Sequence, residues 1–256
     1  METMGIIFSN IYDSKMGALT ELRTSASIPV GGRYRQIDFI LSSMANSGIK
    51  HIGIITKYNY QSLMDHIGSG KDWDLARRSG GIKLLPPYIT AYASNPNIQY
   101  QTRLEALKGV SYSIQKITDE YVVLSDCDVI CNVDLNDIID YHIKTDADIT
   151  AAVKTMDLTP EQAKINVLYT ADEEGRITDI LSYPTNFSGR ADVALNIVVM
   201  KTEYLQEVVL DSVAHNYVSM TRDIMSRNLK HRNYRVYKYD GYFATITSFA
   251  EYYAHS

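Results

Sequence analysis

The chain has 256 residues, 45% of them apolar and 21% charged, and a formal net charge of -5. That length suits one large α/β domain or two small ones with ample core. The acidic balance leaves no basic surplus to neutralise a nucleic-acid backbone, so no nucleic-acid partner is expected. No run approaches a membrane span, and "METMGIIFSN" lacks a basic region followed by a long apolar segment, so neither a membrane anchor nor a signal peptide is expected.

The first strand is the apolar run Gly5 to Phe8. A long loop follows, placed as a phosphate-binding loop would be, and a helix opens after Gly32. In "RYRQIDFILSSMANSG", Ile37, Ile40, Leu41 and Met44 share one helical face, and Gly48 stops the helix. "HIGIIT" reads as a strand, "NYQSLMDHIG" as a helix, "RLEALKGVSYSIQKI" as a further helix and "YVVLS" as a strand. This alternation predicts an α/β fold with a mixed, mainly parallel central sheet and helices on both faces. The second half is richer in strands: "DITAAVKT", "INVLYTAD", "GRITDIL" and "ALNIVVMK". Asp-Glu-Glu-Gly at 172–175 predicts a hairpin turn. Helices are expected over "TEYLQEVVLDSVAH" and "SMTRDIMSRNLKH", then the strand "YRVYKYDG" and a last helical start at "SFAEYYAHS".

Twenty tyrosines suit amphipathic packing at the core edge. Two cysteines, Cys127 and Cys131, are too few for a disulfide framework or a four-ligand zinc site. In an extended stretch they stand roughly 13 Å apart, too far to bridge, and read as buried thiols of a cytoplasmic protein. Asp126 and Asp128 follow directly after a strand, where α/β sheets collect ligands. They could hold magnesium or could be solvated acidic caps. The Gly68–Lys71 turn could meet an anion through its backbone N–H groups or be purely structural. The doublets Arg77/Arg78 and Asp146/Asp148 read as solvated surface.

Three stretches together carry a resemblance: "IPVGGRYRQIDFILSSMANSGIKHIGIITKYN", "HIGSGKDWDLARRSGGIKLLPPY" and "EYVVLSDCDVICNVD". They resemble bacterial glucose-1-phosphate adenylyltransferase (ADP-glucose pyrophosphorylase), over nearly the whole chain. The resemblance implies a GT-A, Rossmann-like nucleotidyltransferase fold over 1–256. It also implies the magnesium-dependent conversion of ATP and glucose 1-phosphate to ADP-glucose and pyrophosphate in glycogen biosynthesis. The family's C-terminal left-handed β-helix has no counterpart segment here, so a shortened chain is expected.

By the same resemblance the catalytic positions are degenerate. Asn10, Ile11 and Asp13 stand where the family's first loop has glycines, putting Cβ atoms where backbone approaches phosphate. Lys15 replaces an arginine that neutralises the triphosphate, Ser25 a phosphate-contacting lysine, and Tyr183 the lysine that holds the sugar phosphate. Thr245 replaces the aspartate that completes the magnesium site, leaving Asp128 as the one metal-binding position kept. Thr102-Arg103-Leu104-Glu105-Ala106 matches Gly-Thr-Ala-Asp-Ala, which implies a place near base and sugar for Glu105. Lys15, Glu105 and Asp128 are thus the expected substrate contacts. Arg23 and Arg35 match arginines of an anionic effector site, or are structural ion-pair partners.

An intact scaffold with a stripped loop is most like the non-catalytic GlgD-type subunit. The implied partner is the catalytic subunit in a hetero-oligomer, with a sugar-phosphate or nucleotide effector. The alternatives are an active enzyme using Lys15 and Asp128, or a non-catalytic sensor of a sugar phosphate or nucleotide.

Overall fold

The structure is a computed structural model that describes residues 2–76, 80–86 and 100–255. Nine strands form one sheet: β1 (Thr3–Phe8), β2 (His51–Ile55), β3 (Gly81–Leu85), β4 (Tyr121–Asp126), β5 (Ile149–Leu158), β6 (Val167–Ala171), β7 (Ile177–Ser182), β8 (Gly189–Lys201) and β9 (Tyr234–Lys238). The main run is β3-β2-β1-β4-β8-β5-β9, and the β6–β7 hairpin joins the first half of β8. Strands β3, β2, β1 and β4 pair in parallel, and β8 runs antiparallel to β4, β5 and β6. Only β7 and β8 therefore oppose the common direction of the sheet. The expected mixed, mainly parallel α/β sheet is present.

Alternation along β1 and β4 divides the core. Ile6, Phe8, Val122 and Leu124 face one side, packed with α3 (Arg103–Gly109) and α5 (Thr202–His215). Ile7, Val123, Ile52 and Ile54 face the other, packed with α1 (Ile37–Asn46), α2 (Gln61–Ile67) and α4 (Leu135–Lys144). A side chain's position in the strand thus selects its layer, as a period of two requires.

Two elements differ from expectation. The helix over "RLEALKGVSYSIQKI" is two, Arg103–Gly109 and Ser111–Ile114, interrupted after Gly109. Met220–Met225 is a π-helical turn rather than the start of a long α-helix. There the Asp223 carboxylate accepts the N–H groups of both Val218 and Ser219, at 3.0 and 2.9 Å, and draws the chain into a wide first turn. Both cysteines are buried free thiols.

Candidate ligand site at the strand ends

The loop after β1 is tied to itself. The Asp13 carboxylate accepts the Ser25 N–H at 2.8 Å, and the Thr20 hydroxyl donates to the Asp13 carbonyl at 2.7 Å. The Ser25 hydroxyl donates to the Ser9 carbonyl at 3.1 Å, and the Tyr100 hydroxyl donates to Asn10 Oδ1 at 2.5 Å. A phosphate loop presents its backbone N–H groups to an anion. Here a carboxylate of the loop itself already takes one of them.

Burial, opposed by the bond from Ser25, pushes the Asp13 carboxyl up to about 6. A carboxyl raised on folding binds its proton more tightly in the native state. It favours folding below about pH 4, loses that advantage as pH rises, and carries the full cost of buried charge above about pH 6. Asp13→Asn keeps the acceptor for Ser25. It is expected to stabilise the protein by up to about 3 kcal/mol near pH 8 and by nothing near pH 4. Urea denaturation at both values checks this, and an equal effect at both would refute it.

A cavity of about 490 Å³ opens beside the loop, walled by residues after β1 and β2, the start of α3 and the middle of β8. Lys15, Lys57, Lys164 and Arg103 stand on its wall against one acid, Asp13. Lys15 Nζ lies 5.2 Å from the Tyr12 ring centroid, and Lys57 Nζ lies 4.4 Å from that of Tyr100. Lys57 also donates to the Tyr100 carbonyl at 2.8 Å, and burial lowers its pKa.

At the carboxyl end of β4, Asp126 is paired. Arg103 donates from Nε to Asp126 Oδ1 at 2.7 Å, from Nη2 to Oδ2, and from Nη2 to the Tyr12 hydroxyl at 3.0 Å. Asp128 is also buried, and neither carboxylate oxygen has a hydrogen-bond partner among the described residues. Burial raises its pKa strongly, and the neighbouring Asp126 charge adds to the rise. Thr245 lies across from Val129 in a two-stranded ribbon, and the Ile246 N–H donates to the Asp128 carbonyl at 3.1 Å.

Magnesium asks for several oxygen ligands in octahedral array. Asp126 is held by Arg103, Asp128 is not on the cavity wall, and Thr245 brings a hydroxyl where a second carboxylate would be needed. No cluster of three or more His, Cys, Asp or Glu suited to a metal occurs among the described residues. These residues do not fit a magnesium ion that bridges to a ligand.

The other expected site residues fall as follows. Lys15 and Tyr183 share the cavity wall, Tyr183 in left-handed backbone at φ 57°. Ser25 is buried within the loop. Glu105 lies off the wall; its carboxylate closes a capping box on Thr102 at the start of α3. The Arg35 guanidinium donates to the Ser27 carbonyl and to the Ser62 carbonyl and hydroxyl. Arg23 is half-buried, with no hydrogen bond or ion pair among the described residues. The Gly68–Lys71 turn closes on its own backbone, the Leu75 N–H donating to the Gly70 carbonyl at 2.9 Å. Asp146 is exposed and pairs with Lys201 at 2.6 Å, Asp148 accepts the Asn233 N–H at 2.8 Å, and Arg77/Arg78 lie outside the described residues. Sequence reasoning missed the Arg103–Asp126–Tyr12 group; an acid closing a buried strand is itself a signal that a cation is near.

Residues 5–239 match the model of the family described as "Nucleotidyl transferase". The chain belongs to that family. It is similar to the glucose-1-phosphate adenylyltransferase of Thermotoga sp. (strain RQ2), 31% identical over 98% of this chain and 59% of the relative. The enzyme of that name from Clostridium acetobutylicum is 32% identical over 96% and 64%, and that from Halalkalibacterium halodurans 30% over 98% and 65%. The chain therefore spans about three fifths of the length of these curated relatives. No helix among the described residues is long and apolar enough to cross a membrane.

Proposed function

We propose that this nucleotidyl transferase family chain is a catalytically impaired, regulatory subunit of glucose-1-phosphate adenylyltransferase. In this reading it holds a phosphorylated ligand in its cavity and modulates a catalytic partner in the cytoplasm, without transferring a nucleotidyl group itself. One observation carries the reading: the Asp13 carboxylate occupies the Ser25 N–H in the loop that should be open to phosphate. The similarity to glucose-1-phosphate adenylyltransferases supports the reaction to which it is tied.

The test is pyrophosphate release from ATP and glucose 1-phosphate with magnesium. It is run on this chain alone, on a catalytic glucose-1-phosphate adenylyltransferase subunit, and on the mixture. Silence alone with a changed rate or effector response in the mixture is expected. Turnover by this chain alone, abolished by Asp128→Ala, would replace the reading with an active enzyme. A mixture that behaves as the catalytic subunit does would leave a sensor without that partner.

A further inference from the structure

We propose that Arg103 is a tethered cation that meets the phosphate of a bound ligand directly, so that this cavity takes sugar or nucleoside phosphates without a divalent metal. The proposal rests on the reading that the cavity holds such a ligand. Arg103 stands on the cavity wall with its side chain 25% exposed, while Asp126 behind it is 1% exposed. Nε and Nη2 are committed to Asp126 and Tyr12, and Nη1 has no partner among the described residues. A guanidinium held along one edge by a carboxylate is fixed in plane and keeps N–H donors for a second anion.

The surroundings agree. Lys15, Lys57 and Lys164 add positive charge to the wall of a chain whose net charge is -5. A divalent ion set beside Arg103 would meet a like charge and find the Asp126 oxygens taken. Tyr12, Tyr58 and Tyr100 line the same wall beside Lys15 and Lys57. The volume falls in the ordinary range of small-molecule sites.

Calorimetric titration with ADP and, separately, glucose 1-phosphate tests this in excess EDTA and again in excess magnesium. At least one probe is expected to bind with the same affinity in both. The double variant Arg103→Gln/Asp126→Asn removes both charges together and leaves neither partner alone. It is expected to bind about tenfold more weakly or worse, as loss of a charge-assisted contact implies. Arg103→Lys keeps the charge, loses the fork and should fall between. Binding that needs magnesium, an unchanged double variant, or no heat from either probe would overturn the proposal. Where the double variant fails to fold, the EDTA comparison on the unaltered chain still decides the metal independence and Arg103→Lys the role of the guanidinium. A chain that binds neither probe yet changes its partner's rate would sink this proposal and leave the regulatory role standing. Turnover by the chain alone, with binding unchanged in EDTA, would do the reverse.

Discussion

Replacing Arg103 with methionine is expected to cost about 3–5 kcal/mol at neutral pH, because it strands a buried carboxylate. Asp126 is 1% exposed, so water does not screen its charge. The variant also removes the donor to Tyr12. For a chain of this size the loss is roughly 6–20 °C in Tm. Adding Asp126→Asn should recover most of it, since an amide needs no counter-charge; the cycle of single and double variants measured by urea denaturation gives the coupling. A loss below about 1 kcal/mol would place the pair with exposed ion pairs that contribute little. The positioning of the cavity's cation would then need another account.

Returning the residues that the resemblance implies, through Ser25→Lys, Tyr183→Lys and Thr245→Asp, is expected to leave pyrophosphate release at background while Arg103 remains. These changes restore two phosphate contacts and a carboxylate beside Asp128, but the guanidinium still holds Asp126. Ser25→Lys also puts a long stem into a buried position whose N–H and hydroxyl are already bonded. Adding Arg103→Thr with Asp126→Ser removes the tethered charge without orphaning a carboxylate. That five-fold variant is expected to exceed the three-fold one by about 10² or more, the size of one lost transition-state contact, with non-additivity limiting the sum. Turnover in the three-fold variant would show that the missing charges alone are the defect. Equal silence in both would assign the barrier to the Asp13 closure of the loop.

The layers of the fold were legible because period decides them. Ile37, Ile40, Leu41 and Met44 repeat at helical spacing, and all four are buried. The hairpin at 172–175 was legible from its turn residues, and its Gly175 takes φ 81°. The split at Gly109 and the wide turn at Met220–Met225 were not, because apolar spacing cannot report a side-chain bond such as Asp223 to two backbone N–H groups. At the site, the loop's loss of glycine was plain in the sequence, whereas what took its place was not. Asp13 meets Ser25 twelve positions away, and Arg103 meets Asp126 across 23. Such pairings are set by the sheet, which brings the residue after β1, the start of α3 and the end of β4 to one place.

The Gly68–Lys71 turn leads into the chain's one tryptophan, Trp73. Its indole N–H donates to the Ser42 hydroxyl at 3.2 Å, and its ring stands edge-on to His66, with centroids 5.9 Å apart. His66 is bonded to Asp38, whose other carboxylate oxygen accepts the Arg35 N–H. Trp73 is not on the cavity wall, which carries Tyr12, Tyr58, Tyr100, Tyr169 and Tyr183 instead. Excited at the red edge, where tyrosine does not absorb, the protein therefore emits from a single address beside His66. Tyrosines line the cavity and the tryptophan stands apart from it, so one fluorescence titration separates events at the cavity from events at this corner of the fold.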